Sequence, residues 1–189
     1  FNSAKMYARI DKDLKAAEEW GLKALELQPN NALIPYFLAT EVYKPMKKQG
    51  KVAEMYIEAL GRTENLILDR PFKSGEVYVN NVPDAIRVAG EEIYGEGVKL
   101  FEKKKKNKAI IKFELALKLM PDFLGTYTTL STIYMVDKEY EKALEYINEG
   151  LKIDTYNTDL KLRKAECLAR TKSYDEAIAI LNTIEAGDE

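Results

Sequence analysis

Lys142-Ala143-Leu144-Glu145-Tyr146-Ile147 decides the fold, because its pattern of small and large apolar residues returns at a fixed distance on either side. Lys108-Ala109-Ile110-Ile111-Lys112-Phe113 lies 34 residues before it, and Glu176-Ala177-Ile178-Ala179-Ile180-Leu181 lies 34 residues after it. The same frame carries Gly97, Ser131 and Ala165, all small, and Leu100, Tyr134 and Leu168, all large. Ala116, Gly150 and Ile184 follow three positions after Phe113, Ile147 and Leu181. A constant period of about 34 with two helical stripes per unit signals a repeat array. The small residues have a physical reason. Two antiparallel helices joined by a short turn cross closely, and a larger side chain at the crossing would force them apart, at about 1–3 kcal/mol of overpacking strain.

Outward from that stretch, Glu91 to Lys105 carries a helical stripe through Ile93, Tyr94, Val98, Leu100 and Phe101. Lys103 to Asn107 breaks it, and a second helix runs from Ala109 to Leu119. Pro121 stops that helix, and Asp122 is placed to cap the next one. The third unit turns near Lys172–Ser173, where Ser173 and Glu176 have the spacing of a capping box. These residues resemble the tetratricopeptide repeat family: a small residue in the first helix, a leucine or aromatic three later, an alanine opening the second helix, and a closing proline at Pro121, replaced by Thr155 one unit on. The resemblance implies an all-α fold, a right-handed α-solenoid of antiparallel helix pairs.

Lys15 to Asn30 resembles a second helix with its closing Pro29-Asn30, preceded by a short first helix over about 2–9. Because the chain opens on Phe1, a fragment beginning inside a repeat is expected, with any targeting segment out of view. Ala17 to Ala53 is 36, and the surplus is placed in the turn around Lys44-Pro45 and Gly50. Ala53 to Ala109 is 56, one period plus 22 residues, so an insertion is expected between Leu68 and Ala89, where Pro71, Gly75, Asn80, Asn81 and Pro83 cluster. Glu76-Val77-Tyr78-Val79 within it alternates like a strand; the alternative is that part of the insertion lengthens a helix beginning near Asp84. The expected organisation is N-terminal repeat units over 1–68, an insertion over 69–89 and three consecutive units over 90–189.

Composition narrows function. Lys and Arg number 29 against 31 Asp and Glu, a net charge of −2, with no histidine and one cysteine. The charge balance offers no field for nucleic-acid phosphates. Lysine outnumbers arginine 23 to 6, against the usual preference for arginine forks at phosphates and bases. Without histidine there is no His-based triad or His-ligated zinc. A single cysteine makes no intrachain disulfide and no cysteine-rich metal site. No apolar run approaches the ~20 residues that span a bilayer. No catalytic, cofactor or metal-binding residues are therefore expected. The compartment is left open.

In the family that this chain resembles, first helices line a concave face that binds proteins or peptides. Projected here, that stripe holds Leu33, Tyr36, Thr40 and Tyr43, then Tyr94, Val98 and Phe101, then Thr128, Thr132 and Met135, then Leu162, Glu166 and Arg170. Aromatic residues and Met are what interface centres favour. The candidate partner-binding set is Tyr36, Thr40, Tyr43, Tyr94, Val98, Phe101, Thr128, Thr132 and Met135, with Tyr36, Tyr43, Tyr94 and Phe101 as anchors and a protein or peptide segment as the partner. Loss of Tyr94 and Phe101 is expected to weaken binding without unfolding. The bland alternative is that several of these residues pack against neighbouring helices.

Some family members clamp acidic chaperone tails with paired basic and asparagine positions. Here those positions hold Tyr94, Val98, Thr128 and Thr132, and the clamp is absent; Lys5 and Arg9 stand one turn apart without the asparagine. Lys103 to Lys106 with Lys108 reads as a solvated turn, Cys167 as a buried thiol and Trp20 as a packing residue. Glu18–Glu19 and Glu91–Glu92 diverge on their helices and form no acid–base dyad. The reading is a non-catalytic binding scaffold, with a self-assembling homo-oligomeric module or a solute-binding, transport-accessory repeat domain as alternatives.

Overall fold

The computed structural model describes residues 1–64, 66–74 and 77–185. The chain divides into two compact units, Phe1–Glu92 and Ile93–Glu189. Among the described residues no helix is long and apolar enough to cross a membrane.

The second unit is all helix. It takes the end of α5 (Val82–Glu102), then α6 (Lys106–Leu119), α7 (Leu124–Val136), α8 (Tyr140–Ile153), α9 (Thr158–Arg170) and α10 (Tyr174–Glu185). Its core runs through Ala109, Phe113, Leu130, Ile133, Tyr134, Ala143, Ile147, Leu160 and Cys167. A smaller cluster of Ala165, Leu168 and Ala177 packs α9 on α10. The periodic alanines are inside: Ala109 and Ala143 at 0% exposure and Ala177 at 5%. The close crossings are where small residues fall. A Cβ on Gly97 would stand 2.7 Å from Phe113 Cε1, and one on Gly150 would stand 2.8 Å from Leu160 Cδ1. Gly97 therefore admits Phe113, one helical turn beyond Ala109, whereas Gly150 admits the next pair's first helix.

The first unit holds α1 (Asn2–Met6), continued by a π-helical turn over Tyr7–Asp11, then α2 (Leu14–Leu27). Next come α3 (Leu33–Phe37), continued as a π-helical stretch over Leu38–Tyr43, and α4 (Gln49–Leu60). An antiparallel hairpin follows, β1 (Ile67–Ser74) with β2 (Val77–Asn81), in which Phe72 faces Val79 and Lys73 faces Tyr78. Val79 and Leu68 point inward and are buried. The expected strand is thus real in its described residues and is paired; Glu76 lies outside them. β2 passes directly into α5, so that helix begins at Val82, nine residues before the stripe read at Glu91 and close to the alternative start near Asp84. Asn81 supplies the reason: its Oδ1 accepts from the Asp84 backbone N–H at 2.9 Å, which caps the earlier start.

The turn inside each helix pair among the described residues carries a lysine with positive φ. Lys12, Lys47, Lys104, Lys138 and Lys172 have φ between 58° and 66°, in the left-handed region. At Lys138 the backbone N–H donates to Met135 O at 3.0 Å, and the N–H of Glu139 donates to Tyr134 O at 2.9 Å. That pair of bonds is a Schellman termination, and Lys47, Lys104 and Lys172 repeat it. The lysines are a better ruler than the alanines. Lys12 to Lys47 is 35, so the counterpart of Ala17 is Val52 and not Ala53. The one-residue surplus belongs to the first helix, where the Lys44 N–H donates five residues back to Ala39 O at 2.9 Å, the one-residue expansion that a π turn makes. It does not lie in the turn at Lys44-Pro45 and Gly50.

One further expectation changes. α7 begins at Leu124 with Phe123 as its N-cap, so Asp122 stands one residue outside the cap position. The capping side chain of the following pair is Asn157, whose Oδ1 accepts from the Leu160 N–H at 3.1 Å.

Candidate functional site

The first-helix stripe divides between the two units, and each part is described by itself. In the first unit Tyr43 is 1% exposed. Its ring lies under the ammonium groups of Lys48 and Lys51, at 5.5 and 5.0 Å from the centroid. Tyr43 is a core residue and is not available as the anchor expected of it. Tyr43 closes the π-helical stretch that continues α3. Tyr36 remains half-buried, its ring centroid 6.1 Å from that of Tyr56. Burial pushes its hydroxyl up to about 12, with the Glu41 and Glu92 carboxylates adding to the shift. Thr40 donates its hydroxyl to Tyr36 O at 2.9 Å, an intrahelical bond.

Lys5 and Arg9 are both engaged. Arg9 forks onto Glu41, with Nε 2.6 Å from Oε2 and Nη2 on Oε1. Lys5 Nζ lies 2.5 Å from Asp69 Oδ2, and Arg9 Nη2 is 3.7 Å from the same atom. These two residues tie α1 and its π-helical continuation to β1 and to the π-helical stretch after α3.

In the second unit Tyr94 is mostly a packing residue. Its ring sits 5.3 Å from Phe113 and 5.3 Å from Phe123, and its hydroxyl is 2.9 Å from Thr129 Oγ1. Val98 packs on the same core. Truncating Tyr94 therefore removes core contacts as well as first-helix surface. Phe101 is 44% exposed and keeps a surface open to a partner. Thr128 is half-buried on α7.

The structure brings Thr132 and Met135 together in a cleft of about 420 Å3. Val136, Lys138 and Tyr140 extend the α7–α8 side, and Arg163, Glu166 and Arg170 of α9 form the other wall. Thr132 Oγ1 donates to Thr128 O at 2.7 Å and accepts from Arg163 Nη1 at 2.7 Å. Arg163 Nε donates to Asp159 Oδ2 at 2.9 Å, so two bonds hold its guanidinium in place. Arg163 escaped the sequence reading because it is offset from the one-turn stripe of Leu162, Glu166 and Arg170. Its signal was the 31-residue separation from Thr132, which reaches a neighbouring first helix.

Cys167 is fully buried, and burial, with the Glu166 carboxylate adding to it, pushes its thiol up to about 11. A thiol held neutral this way is a poor nucleophile. Among the described residues no group of three or more acidic, Cys or His side chains gathers at metal-binding distance. In the lysine run, Lys106 reaches Asp137 at 2.6 Å across the turn.

Comparison with known proteins agrees with this geometry. Residues 137–188 match the tetratricopeptide repeat family model. A stretch of 93 residues, 49% of this chain, is 26% identical to anaphase-promoting complex subunit 3 of Schizosaccharomyces pombe; it spans 14% of that protein's length. Among solved structures, the crystal structure of MamA superposes with a TM-score of 0.50 at 17% identity, over 95% of this chain and 91% of that one. Paired helices at a 34-residue period, small residues at each crossing and the family model matched over residues 137–188 support a tetratricopeptide repeat assignment for this chain.

Proposed function

We propose that the protein is a non-catalytic interaction scaffold, and that the cleft between α7 and α9 receives a segment of a partner protein. The observation that carries this reading is the cleft itself. It is open, it is built from first helices, and it combines a half-buried Met135 and a 75% exposed Val136 with oriented polar groups. An apolar side chain that solvent reaches in a cleft gains by being covered, at about 25 cal/mol per Å2. Oriented donors such as Arg163 set the direction of the bound segment. Phe101, Tyr36 and Thr40 stay in the candidate set as partly exposed first-helix residues. Tyr43 leaves it, and Tyr94 and Val98 act as support.

The test uses the tightest binder that the protein selects from a random peptide display library, followed by fluorescence anisotropy. Val136→Ser changes an exposed side chain and leaves the core intact. It should weaken binding by about tenfold, the loss of roughly 1.4 kcal/mol of apolar burial, with an unchanged melting temperature. Unchanged affinity would place the binding surface elsewhere.

A further inference from the structure

The chain carries a net charge of −2, yet the cleft between α7 and α9 is lined by three cations, Lys138, Arg163 and Arg170, and one carboxylate, Glu166. The local sign opposes the global one. Arg163 is held in place: its side chain is 26% exposed, Asp159 takes its Nε, and Thr132 takes one N–H of Nη1. A guanidinium has five N–H donors in a fixed plane, so donors on both η nitrogens remain, already oriented. Arg170 meets Glu166 only at 3.6 Å, with both side chains more than half exposed. A pair of that kind contributes little and yields readily to a competing carboxylate. Lys138 stands at the edge in its left-handed turn, and Val136 and Met135 supply apolar surface beside the cations.

We infer that the segment bound in this cleft is acidic and apolar together: a stretch with Asp or Glu side chains flanking an aliphatic one. The aliphatic group covers Val136 and Met135 while a side-chain carboxylate meets the free N–H groups of Arg163, with Arg170 and Lys138 completing the positive wall. This inference rests on the cleft reading above and specifies its partner. Charge-assisted bonds to an oriented guanidinium are the stronger kind, so the preference for acid over amide is expected to be large.

The experiment titrates the full chain into fluorescein-labelled, C-terminally amidated helical peptides of Leu and Ala that carry Glu, Gln or Lys at the same positions. Amidation removes the terminal carboxylate and the dye is common to all three peptides, so they differ only in the varied side chains. The Glu peptide should bind about tenfold more tightly than the Gln peptide, and the Lys peptide least. The advantage of Glu over Gln should shrink as salt screens the charges, disappear in Arg163→Gln and return in part in Arg163→Lys. A Glu peptide that binds no better than the Gln peptide overturns the inference, as does an advantage that Arg163→Gln leaves intact. Val136→Ser separates this failure from that of the cleft reading. If it weakens Glu and Gln peptides alike while they bind equally, the cleft stands and its acidic partner falls. If it weakens neither, the cleft reading itself falls.

Discussion

Lysine is an unexpected residue for a left-handed turn, and this chain uses it at every one among the described residues with positive φ: Lys12, Lys47, Lys104, Lys138 and Lys172. A side chain with a Cβ is strained there by roughly 1–2 kcal/mol relative to the right-handed region, and glycine carries no such penalty. Lys104 is exposed, so it isolates the backbone effect. Lys104→Gly should raise stability by about 0.5–1 kcal/mol, the strain relieved less the extra chain entropy of glycine. Urea denaturation reads this directly; a lowered midpoint would mean that the lysine side chain stabilises the turn more than its backbone strains it. Lysines at 104, 138 and 172 keep the 34-residue spacing of the alanines, so the turn was written in the sequence. It passed unread because lysine is not a turn residue by composition, and only the spacing marks it. Tyr43 illustrates the opposite failure. Its place on the first-helix stripe was legible, but whether an aromatic on that stripe faces solvent or the next helix is decided by tertiary packing.

At the scale of elements, α5 offers an internal comparison. Gly97 and Gly95 are two residues apart on one helix, and only Gly97 is enforced by packing. A Cβ at 97 would collide with Phe113, whereas nothing lies within 4 Å of a Cβ at 95. Gly97→Ala should therefore destabilise by about 1–3 kcal/mol through overpacking, while Gly95→Ala should stabilise by up to about 1 kcal/mol through helix propensity alone. Opposite shifts in thermal midpoint are the expected result; equal shifts would dissolve the distinction between the two glycines. The regular helix pairs were legible because period, small residues and breakers agree there. The stretch from Ile67 to Val82 was less so. Its strand pattern showed, but its pairing did not, because the partner strand Ile67–Ser74 contains Pro71 and a register shift that hides its alternation. The π turns were invisible, since an expanded turn alters spacing by one residue and leaves composition unchanged.

For the whole molecule, a repeat architecture separates scaffold from recognition. The second helices α6, α8 and α10 give their apolar residues to the core through Ala109, Phe113, Ala143, Ile147 and Ala177. That leaves α7 and α9 to line the cleft with Thr132, Met135, Val136 and Arg163. Of that site, Thr132, Met135, Glu166 and Arg170 were legible from the first-helix stripe. Arg163 and Val136 depend on how two helices face each other across a repeat, which no single stripe reports. The central claim is that recognition uses the face shared by α7 and α9. Amide chemical-shift mapping of the full chain, titrated with its display-selected peptide, tests it most directly. The account predicts shifts concentrated at Thr132, Met135, Val136, Arg163 and Arg170, and shifts concentrated instead on the exposed faces of α8 and α10 would contradict it.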